Sequence, residues 1–578
     1  HLDRNHIMTD HWDHHVDLLV VGSGAGGLAA AVVGAQEGLD VLVLEKTEWL
    51  GGTSAYSAGT AWIPGHRHQD DPAADSAAAR DYLDTLVGNR APKELRESYL
   101  THAPRAVDHL ERMGIGFRHS ATAVDYHPEI PGYGTGRALE PHTFDGRLLG
   151  KKHFRRVRRP VREFALFGGT LMVRRAEVDE LLTVFRGSAT GMVTALRLGL
   201  RWAADMLGWP RGTRLTMGNA LTANLYHQLL ARRGVVWFTA RPTELVTDET
   251  GRVVGAVVTS RGRTVRIAAR AGVVLAGGGF SASPEWRARH LPTPTAQFTR
   301  AAEGATGDSM DLARTAGGAL RESDGDNALW FPSSLGRRGD GSTAVFPHIW
   351  DRARPGIIAV DSAGRRFVDE SVSYHRFVRA MYEAHASVPT IPAWLVIDAR
   401  SLAAYGLGMI RPHTPAPFLE RHLRSGYLRS GRTVGELAAA IAVDPAGLAR
   451  TIADSNRYAR TGVDEEFGKG GHPYGHQYGD PDHTPNVNLG PIERAPYYAI
   501  AVVPTPLATS LGLRTSPEAQ VLDERDQPVR GLYTCGNDAN SPMAAEYPGA
   551  GCQIGAALTF GYLAARHAAR SLPRHHQP

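Results

Sequence analysis

The chain has 578 residues, of which 42% are hydrophobic and 21% are charged, a composition typical of a soluble globular protein. Since one hydrophobic core stops growing near roughly 250–300 residues, this length predicts at least two domains. A formal net charge of +5 is small for this length, and the presence of only two cysteines argues against a disulfide framework, a structural zinc site or an iron–sulfur cluster.

A strand, a glycine turn, a helix and a second strand follow one another near the N-terminus. Val16–Gly22 is a nearly continuous apolar run, Gly22–Gly27 reads GSGAGG, and Leu28–Glu37 is an Ala-rich helical stretch. A second apolar run, Asp40–Leu44, ends at Glu45. This order within about 30 residues predicts a βαβ unit that binds a dinucleotide.

Each glycine of this turn has a physical role. Gly22 permits the tight turn, Gly24 lets backbone N–H groups approach a pyrophosphate, and Gly27 lets the helix pack closely on the strand. The helix N-terminus offers partial positive charge to the phosphates. Glu45 ends the second strand, where its carboxylate can accept hydrogen bonds from both ribose hydroxyls.

Later glycine-rich segments favour FAD over a nicotinamide cofactor. Leu50–Gly59 (LGGTSAYSAG) can run along the pyrophosphate towards a flavin ring. Far downstream, Gly531–Gly536 (GLYTCG) predicts a strand that ends in polar groups, and Tyr547–Gly555 opens a helix running to about His567. The residues predicted to bind the cofactor are Gly22, Gly24, Ala25, Gly26, Gly27, Glu45, Lys46, Gly52, Thr53, Ser54, Gly59, Gly277, Asn537 and Asp538.

These motifs, together with Gly304–Asp308 (GATGD), resemble the fumarate reductase/succinate dehydrogenase flavoprotein superfamily. Within it, three segments resemble the 3-ketosteroid Δ1-dehydrogenases, namely Asp125–Gly132 (DYHPEIPG), Arg366–Tyr374 (RFVDESVSY) and Tyr547–Gly551 (YPGAG). The resemblance extends from Val16 to about His567. It implies noncovalent FAD, because the loop at Gly51–Thr53 lacks the His to which covalent flavin is attached in some members.

The resemblance also implies roles for three tyrosines and one glycine in the 1,2-dehydrogenation of a 3-ketosteroid. The Tyr547 hydroxyl and the Gly551 N–H donate to the ketone oxygen, Tyr374 removes the α-proton, and Tyr126 shares that proton and passes it towards solvent. The adjacent carbon gives hydride to flavin N5, and a quinone or another acceptor then reoxidises the flavin. Because a free phenol has a pKa near 10, activity is expected to rise towards alkaline pH.

Three alternatives stay open. The chain could be a 3-ketosteroid Δ4-(5α)-dehydrogenase, a reductase of another enone, or a flavin-binding protein with a regulatory function. His127 is either a proton shuttle or a solvated loop histidine, and Asp369 and Glu370 are expected to be solvated acids or helix caps rather than catalysts. No metal site is predicted.

The middle of the first half is basic and amphipathic. Lys151–Arg162 (KKHFRRVRRPVR) has seven cationic residues and no acid, and Asp205 is the only acid in 185–215. That second segment has apolar residues at near-helical spacing, tryptophans between them and interleaved arginines, namely Val193, Leu196, Leu200, Leu207, Leu198, Trp202, Trp209, Arg197, Arg201, Arg211 and Arg214. The pattern predicts either a peripheral membrane contact or a helix packed in a protein contact. No nucleic-acid recognition module accompanies it, so no nucleic-acid partner is expected.

The expected fold class is α/β, with a discontinuous Rossmann-like FAD-binding domain and an inserted α+β catalytic domain. The FAD-binding domain is predicted to comprise 16–330 and 508–578, and the catalytic domain 331–507. Val253–Ser260 and Thr264–Ile267 predict a hairpin, and Val273–Phe280 (VVLAGGGF) predicts a buried strand that ends in glycines. The expected location is the cytoplasm, with possible contact to the inner face of the cell membrane.

Overall fold

The protein is represented by a computed structural model that describes residues 11–295, 297–323 and 326–572. The last six residues of the predicted second FAD segment lie outside this range. The strands are β1 His14–Val21, β2 Val41–Glu45, β3 Ala61–Trp62, β4 Phe117–His119, β5 Ala138–Pro141, β6 Phe144–Asp145, β7 Arg214–Leu215, β8 Val235–Phe238, β9 Ala240–Thr247, β10 Val253–Ser260, β11 Arg263–Leu275, β12 Leu320–Arg321, β13 Ala328–Arg337, β14 Thr343–Pro347, β15 Ile357–Val360, β16 Ala393–Asp398, β17 Arg429–Gly431, β18 Tyr497–Thr509, β19 Gly512–Leu513, β20 Gln520–Leu522 and β21 Pro528–Thr534.

The α-helices lie between single strands or groups of strands along the chain. They are α1 Ala25–Gln36, α2 Pro72–Val87, α3 Lys93–Arg112, α4 Gly150–Phe154, α5 Arg175–Leu182, α6 Ala189–Met206, α7 Met217–Ala231, α8 Pro284–His290, α9 Asp308–Thr315, α10 Tyr374–His385, α11 Ala399–Tyr405, α12 Ala416–Arg424, α13 Val434–Ile441, α14 Pro445–Thr461, α15 Pro473–His476 and α16 Cys552–Arg570. Within the described residues, no helix combines the length and the apolar content needed to span a bilayer.

An eight-stranded sheet carries the N-terminal βαβ unit. Its order is β20-β21-β11-β1-β2-β8, with β10 and β9 continuing from β11. The central strand β1 runs parallel to β2 and to β11, and its last six residues are buried, as expected of a parallel strand covered on both faces. Helix α1 packs against α7 and α16, so the C-terminal helix returns to the N-terminal unit. The predicted α/β fold class is confirmed.

The predicted hairpin is also present, but its second strand has two partners. β10 and β11 pair antiparallel, with Ser260 opposite Arg263. β11 then continues to Leu275 and pairs parallel with β1 and β21, ending before the glycines 277–279. One long strand therefore links the hairpin to the carboxyl edge of the sheet, where doubly wound folds bind their ligands.

A second sheet lies in the other half of the molecule. Its order is β14-β13-β18-β16-β15, and β17 pairs with β18. Helix α10 packs on β13, which places the start of that helix beside the sheet. The domain limits at 330 and 508 stay a prediction.

Helix α6 carries the amphipathic pattern of 185–215. Leu198 is 3% exposed and packs with Leu171 and Val173, whereas four side chains on the other face are 63–91% exposed, namely Val193, Leu196, Leu200 and Leu207. The helix is therefore docked by one apolar side and leaves a second apolar stripe uncovered by the described residues.

Two of the four arginines predicted to flank this helix are not available at its surface. Arg211 is 2% exposed and donates to the carbonyls of Val157 and Arg158 and to Asn219 Oδ1. Arg214 pairs with Glu177 at 2.5 Å. Neither arginine therefore borders the exposed stripe of α6, because both lie past the end of this helix, where the chain turns back into the core.

Candidate active site

Two glycines of the turn after β1 lie too close to other backbone atoms to carry a side chain. Gly22 has φ +103°, and a Cβ there would lie 2.0 Å from the Ala276 carbonyl oxygen. A Cβ on Gly27 would lie 2.1 Å from the Gly22 oxygen, whereas one on Gly24 would meet nothing closer than 3.5 Å. Gly22 and Gly27 thus allow close packing, while Gly24 leaves the N-terminus of α1 open to an approaching phosphate.

The acid at the end of β2 is held against this turn. Glu45 is 6% exposed; Ser23 Oγ donates to its Oε2 at 2.5 Å, and Thr47 N donates to its Oε1 at 2.9 Å. A carboxylate has about four acceptor positions, so further bonds to ribose hydroxyls are compatible with these contacts. This donor and acceptor set fits the adenosine part of FAD.

The second glycine loop is fastened to the first. Ala25 N donates to Ser54 Oγ at 3.0 Å, and Ala302 N donates to Thr53 Oγ1 at 2.9 Å. Gly59 has φ +69°, and a Cβ there would lie 2.7 Å from Gly218 N. The loop is therefore held between the start of α1, the segment at Ala302 and the start of α7.

Two other predicted cofactor residues have protein partners. Lys46 Nζ lies 3.1 Å from Asp308 and joins β2 to the GATGD segment. Asp538 accepts hydrogen bonds from the backbone N–H groups of Gly277 and Gly279, at 2.5 and 2.9 Å. Burial raises the pKa of Asp538 to about 6. These contacts shape the cradle, and a direct contact of either residue, or of Asn537, with FAD stays a prediction.

The three predicted catalytic tyrosines, which are far apart in the sequence, meet in one cluster. Tyr126 and Tyr374 share a hydrogen bond of 2.9 Å between their hydroxyl oxygens. The ring centroids lie 5.1 Å apart for Tyr126 and Tyr547, and 5.3 Å apart for Tyr374 and Tyr547. Each of the three side chains is 5% exposed, so the cluster is nearly dry.

Burial is the largest influence on these phenols. It raises the pKa values of Tyr126, Tyr374 and Tyr547 well above 10, because the phenolate loses its hydration. The hydrogen bond from Tyr126 acts in the opposite direction on Tyr374 and lowers its pKa. Tyr547 acts against this and raises the pKa of Tyr374, so of these two neighbouring tyrosines only Tyr126 favours the ionised form.

The turn at 547–551 fixes the third tyrosine and the start of α16. Tyr126 N and Tyr82 Oη both donate to the Pro548 carbonyl, at 3.0 and 2.7 Å. Gly551 has φ +86°, and a Cβ there would lie 2.1 Å from the Thr60 oxygen. Within the described residues no acceptor binds the Gly551 N–H, so this amide has a hydrogen bond to offer to a ligand.

A buried ion pair behind Tyr126 was not predicted. Asp125 accepts from Trp62 Nε1 at 2.8 Å and from Arg137 at 2.5 Å, and it also accepts from Gly134 N at 3.0 Å. Asp125 was visible only as a neighbour of Tyr126 in the DYHPEIPG motif, whereas Arg137 and Trp62 gave no signal. The network fixes the backbone that carries Tyr126.

Two further aromatic residues enclose the cluster and were also missed. Tyr474 lies 5.0 Å from the Tyr126 ring, and Phe331 of β13 lies 4.9 Å from the Tyr374 ring. Single aromatic residues in a strand or a Pro/Gly-rich segment have no spacing that distinguishes them from ordinary core residues.

Three polar residues near the tyrosines are less exposed than expected. His127 is 7% exposed, with Nδ1 3.3 Å from Glu129, so its interpretation as a solvated loop histidine is wrong. Asp369 and Glu370 are also buried; Glu370 forms a bidentate pair with Arg366, and Asp369 accepts from Ser371 N at 2.8 Å. Both acids support the segment before Tyr374 and are not solvated.

The chain matches known proteins over nearly its whole length. Residues 17–554 match the family model described as FAD binding domain. The 4-oxocyclohex-2-ene-1-carboxylate 5-dehydrogenase of Sinomonas cyclohexanicum is 36% identical over 96% of this chain and 94% of its own length. The 3-oxosteroid 1-dehydrogenase of Mycolicibacterium smegmatis is 33% identical over 95% of this chain and 96% of its own length.

A solved structure agrees with these matches. The crystal structure of 3-ketosteroid Δ1-dehydrogenase from Sterolibacterium denitrificans, in complex with 1,4-androstadiene-3,17-dione, superposes with a TM-score of 0.89. It is 34% identical and covers 97% of this chain and 100% of its own.

Proposed function

The chain belongs to the FAD-binding flavoprotein family, and from this premise we propose that it dehydrogenates 3-ketosteroids between C1 and C2. It is an FAD-dependent oxidoreductase, and the predicted resemblance to 3-ketosteroid Δ1-dehydrogenases is confirmed. The observation that carries the proposal is the buried cluster in which Tyr126, Tyr374 and Tyr547 contact one another.

In the proposed reaction, Tyr374 takes the proton from C2 of the substrate. To act as a base, Tyr374 must be a phenolate. The Tyr126 hydroxyl, which shares a hydrogen bond with the Tyr374 hydroxyl, stabilises the negative charge on that phenolate oxygen. Bound noncovalently, FAD supplies the acceptor for the hydride that leaves C1.

The Tyr547 hydroxyl and the Gly551 amide donate to the C3 ketone oxygen, which gains negative charge as the C2 proton leaves. Both donors are held in place before substrate binds, by the Pro548 contacts and by the start of α16. Such preorganised donors act strongly in a site from which water is excluded.

Incubation of the purified protein with androst-4-ene-3,17-dione and phenazine methosulfate tests this function. We expect the 1,4-diene as product. Activity restricted to saturated 5α-ketones would instead support the Δ4-(5α)-dehydrogenase, and no activity on either would contradict the proposal. A quinone in place of the dye tests the proposed physiological acceptor class.

A smaller ring ketone with a carboxylate is the second candidate substrate. A 36% identical relative is named for 4-oxocyclohex-2-ene-1-carboxylate, and the proposed tyrosine chemistry acts on a six-membered ring ketone irrespective of what is attached to it. The specific observation in its favour is Arg300, a half-buried arginine whose guanidinium lies over the Phe164 ring and forms no ion pair with a described acid.

We also propose that the uncovered stripe of α6 contacts the surface of an anionic membrane. Its side chains Val193, Leu196, Leu200 and Leu207 share one helix face, and Leu207 is 91% exposed. Lys151 lies beside the end of this stripe, with Nζ 5.9 Å from the centre of the Trp209 ring, and Lys152 and Arg155 are exposed on the same segment. Apolar side chains bordered by cations are the pattern of an interfacial helix.

The double variant Leu196→Glu/Leu200→Glu tests this contact. Since burying a leucine contributes roughly 1.5–3 kcal/mol, we expect at least a tenfold loss of cosedimentation with phosphatidylglycerol vesicles at low salt. Val463→Glu, which alters an exposed valine elsewhere, is the matched control. Wild-type protein that ignores the vesicles, or a double variant that binds as well as the control, would refute the contact.

A further inference from the structure

The segment that carries Arg300 bridges the two halves of the molecule. Thr299 Oγ1 donates to the carbonyl of Pro506 at 2.6 Å, and Ala302 N donates to Thr53 Oγ1 at 2.9 Å. Thr53 belongs to the second glycine loop, and Pro506 pairs with Trp330 of β13, next to the Phe331 that contacts Tyr374. Arg300 therefore lies between the predicted flavin loop and the strand that borders the tyrosines.

The guanidinium of Arg300 packs over an aromatic ring. Its Cζ lies 5.2 Å from the centre of the Phe164 ring, and Phe164 stacks on Phe346 of β14 with 5.2 Å between ring centroids. The side chain is partly exposed. Burial lowers the pKa of Arg300 to about 10, so the group is still cationic at neutral pH but has lost part of its hydration.

The acids near Arg300 are engaged by other cations. Arg338 forms a bidentate pair with Glu163, at 2.6 and 3.1 Å. Arg158 binds Glu303 at 2.6 Å, and Arg162 binds Asp340 at 3.1 Å. Arg300 donates no side-chain hydrogen bond to any described residue. Glu163 attracts it electrostatically but is hydrogen-bonded to Arg338, so Arg300 has a free hydrogen-bonding edge in a partly dry, aromatic setting, where an anionic partner can form charge-assisted hydrogen bonds.

We propose that Arg300 binds a carboxylate on the substrate, so that the preferred substrates of this chain are ring ketones that carry an acid group away from the ketone. The planar guanidinium matches a carboxylate in a bidentate geometry, and the Phe164 ring beneath it packs against the apolar carbon that bears the acid. This inference rests on the proposed ring-ketone dehydrogenation and specifies its substrate class. Both a 4-oxocyclohexanecarboxylate and a 3-ketosteroid with a side-chain acid carry this chemistry.

Two pairs of substrates distinguish these sources. The first pair is 4-oxocyclohexanecarboxylate and its methyl ester, and the second is 3-oxoandrost-4-ene-17β-carboxylate and its methyl ester. We expect wild-type enzyme to have a lower KM for the acid than for the ester in at least one pair, and the pair in which this holds identifies the length of the substrate. Equal KM values for acid and ester in both pairs would overturn the proposal.

The variant Arg300→Gln removes the cation and retains hydrogen-bonding capacity. Because hydrogen bonds to charged groups are worth roughly 1.5–3 kcal/mol, we expect KM for the preferred acid to rise about 10- to 100-fold, with KM for its ester changed less than about twofold. Arg162→Gln, which removes an exposed, paired cation from the same region, is the matched control and should leave both KM values unchanged.

A binding measurement separates this site from the reaction. Cyclohexanecarboxylate lacks the ketone, so it can be titrated into the holoenzyme while the flavin absorbance is followed. We expect saturable binding that is lost in Arg300→Gln. An equal loss for acid and ester, or loss of FAD from this variant, would assign Arg300 to the fold or the cofactor and overturn the proposal. The protein could also bind the acid through Arg300 but oxidise no ring ketone. That result would refute the proposed function and support the carboxylate site.

Discussion

The glycine turn after β1 and the tyrosine cluster differ in how they are assembled. The turn, its helix and Glu45 come from one short stretch of chain, and Gly22 contacts Gly27 directly. The cluster combines a loop residue at 126, the first residue of α10 at 374 and a turn residue at 547, which are far apart in the sequence and are brought together by tertiary packing. The glycine turn, here called the cofactor end, is therefore set mainly by neighbouring residues, whereas the tyrosine cluster, here called the tyrosine end, depends on contacts between distant segments.

If the tyrosine end performs the chemistry alone, Tyr374→Phe should remove activity and leave the cofactor end intact. A general base contributes about 100- to 10,000-fold to the rate, and we expect kcat to fall by that factor with FAD content unchanged. Steady-state kinetics and the flavin absorbance of the purified variant measure both quantities. Turnover within a few-fold of wild type would show that another group takes the proton.

Gly24→Val should have the converse effect. Its Cβ has room within the protein, with nothing closer than 3.5 Å, but the side chain occupies the space in which a pyrophosphate meets the helix N-terminus. Because charge-assisted hydrogen bonds to that group are worth roughly 1.5–3 kcal/mol, FAD affinity should fall about 10- to 100-fold. Reconstitution of the apoprotein with FAD measures this. Gly199→Ala, at an open position on α6, is the control, and equal affinities in the two variants would argue against the assigned cradle.

Tyr126→Phe should alter the pH dependence more than the maximal rate. The base must be ionised, and burial raises the pKa of Tyr374, so kcat/KM should increase with pH in the wild type. Tyr126 lowers that pKa through its hydrogen bond; its removal raises the pKa and moves the rising limb to higher pH. From a neutral hydrogen bond of about 1 kcal/mol, we expect a five- to tenfold loss at pH 7 that is recovered at high pH.

The control for this experiment is Tyr133→Phe, which alters an exposed tyrosine of the same loop region. A Tyr126→Phe profile that overlies that of the control would remove Tyr126 from the proton path. An equal loss at every pH would instead assign it to packing.

The strands and the helix around the first glycine turn could be predicted from sequence because their determinants are local. The bounds of β1 and β2 differ by one or two residues from the predicted runs Val16–Gly22 and Asp40–Leu44. Helix α1 begins earlier than predicted, inside the glycine turn. α16 similarly follows the YPGAG motif. A glycine pattern restricts backbone geometry within a few residues, so sequence alone constrains it strongly.

The tyrosine residues were identified by resemblance, and only the tertiary structure decided their contacts. The Asp125–Arg137 pair, the Tyr474 ring and the burial of His127 had no local signal. The same applies to Arg211, which the sequence pattern grouped with the other arginines of 185–215 and which the fold buries in the core.

The sequence by itself determined a dinucleotide cradle, a second glycine loop and the identities of the candidate catalytic groups. The tertiary structure decided which side chains meet, which are dehydrated and that the Arg300 guanidinium lies on the Phe164 ring without an ion pair to a described acid. The physical reason is range. Turn geometry depends on neighbouring residues, whereas burial, pKa and charge pairing depend on groups brought together from distant parts of the chain.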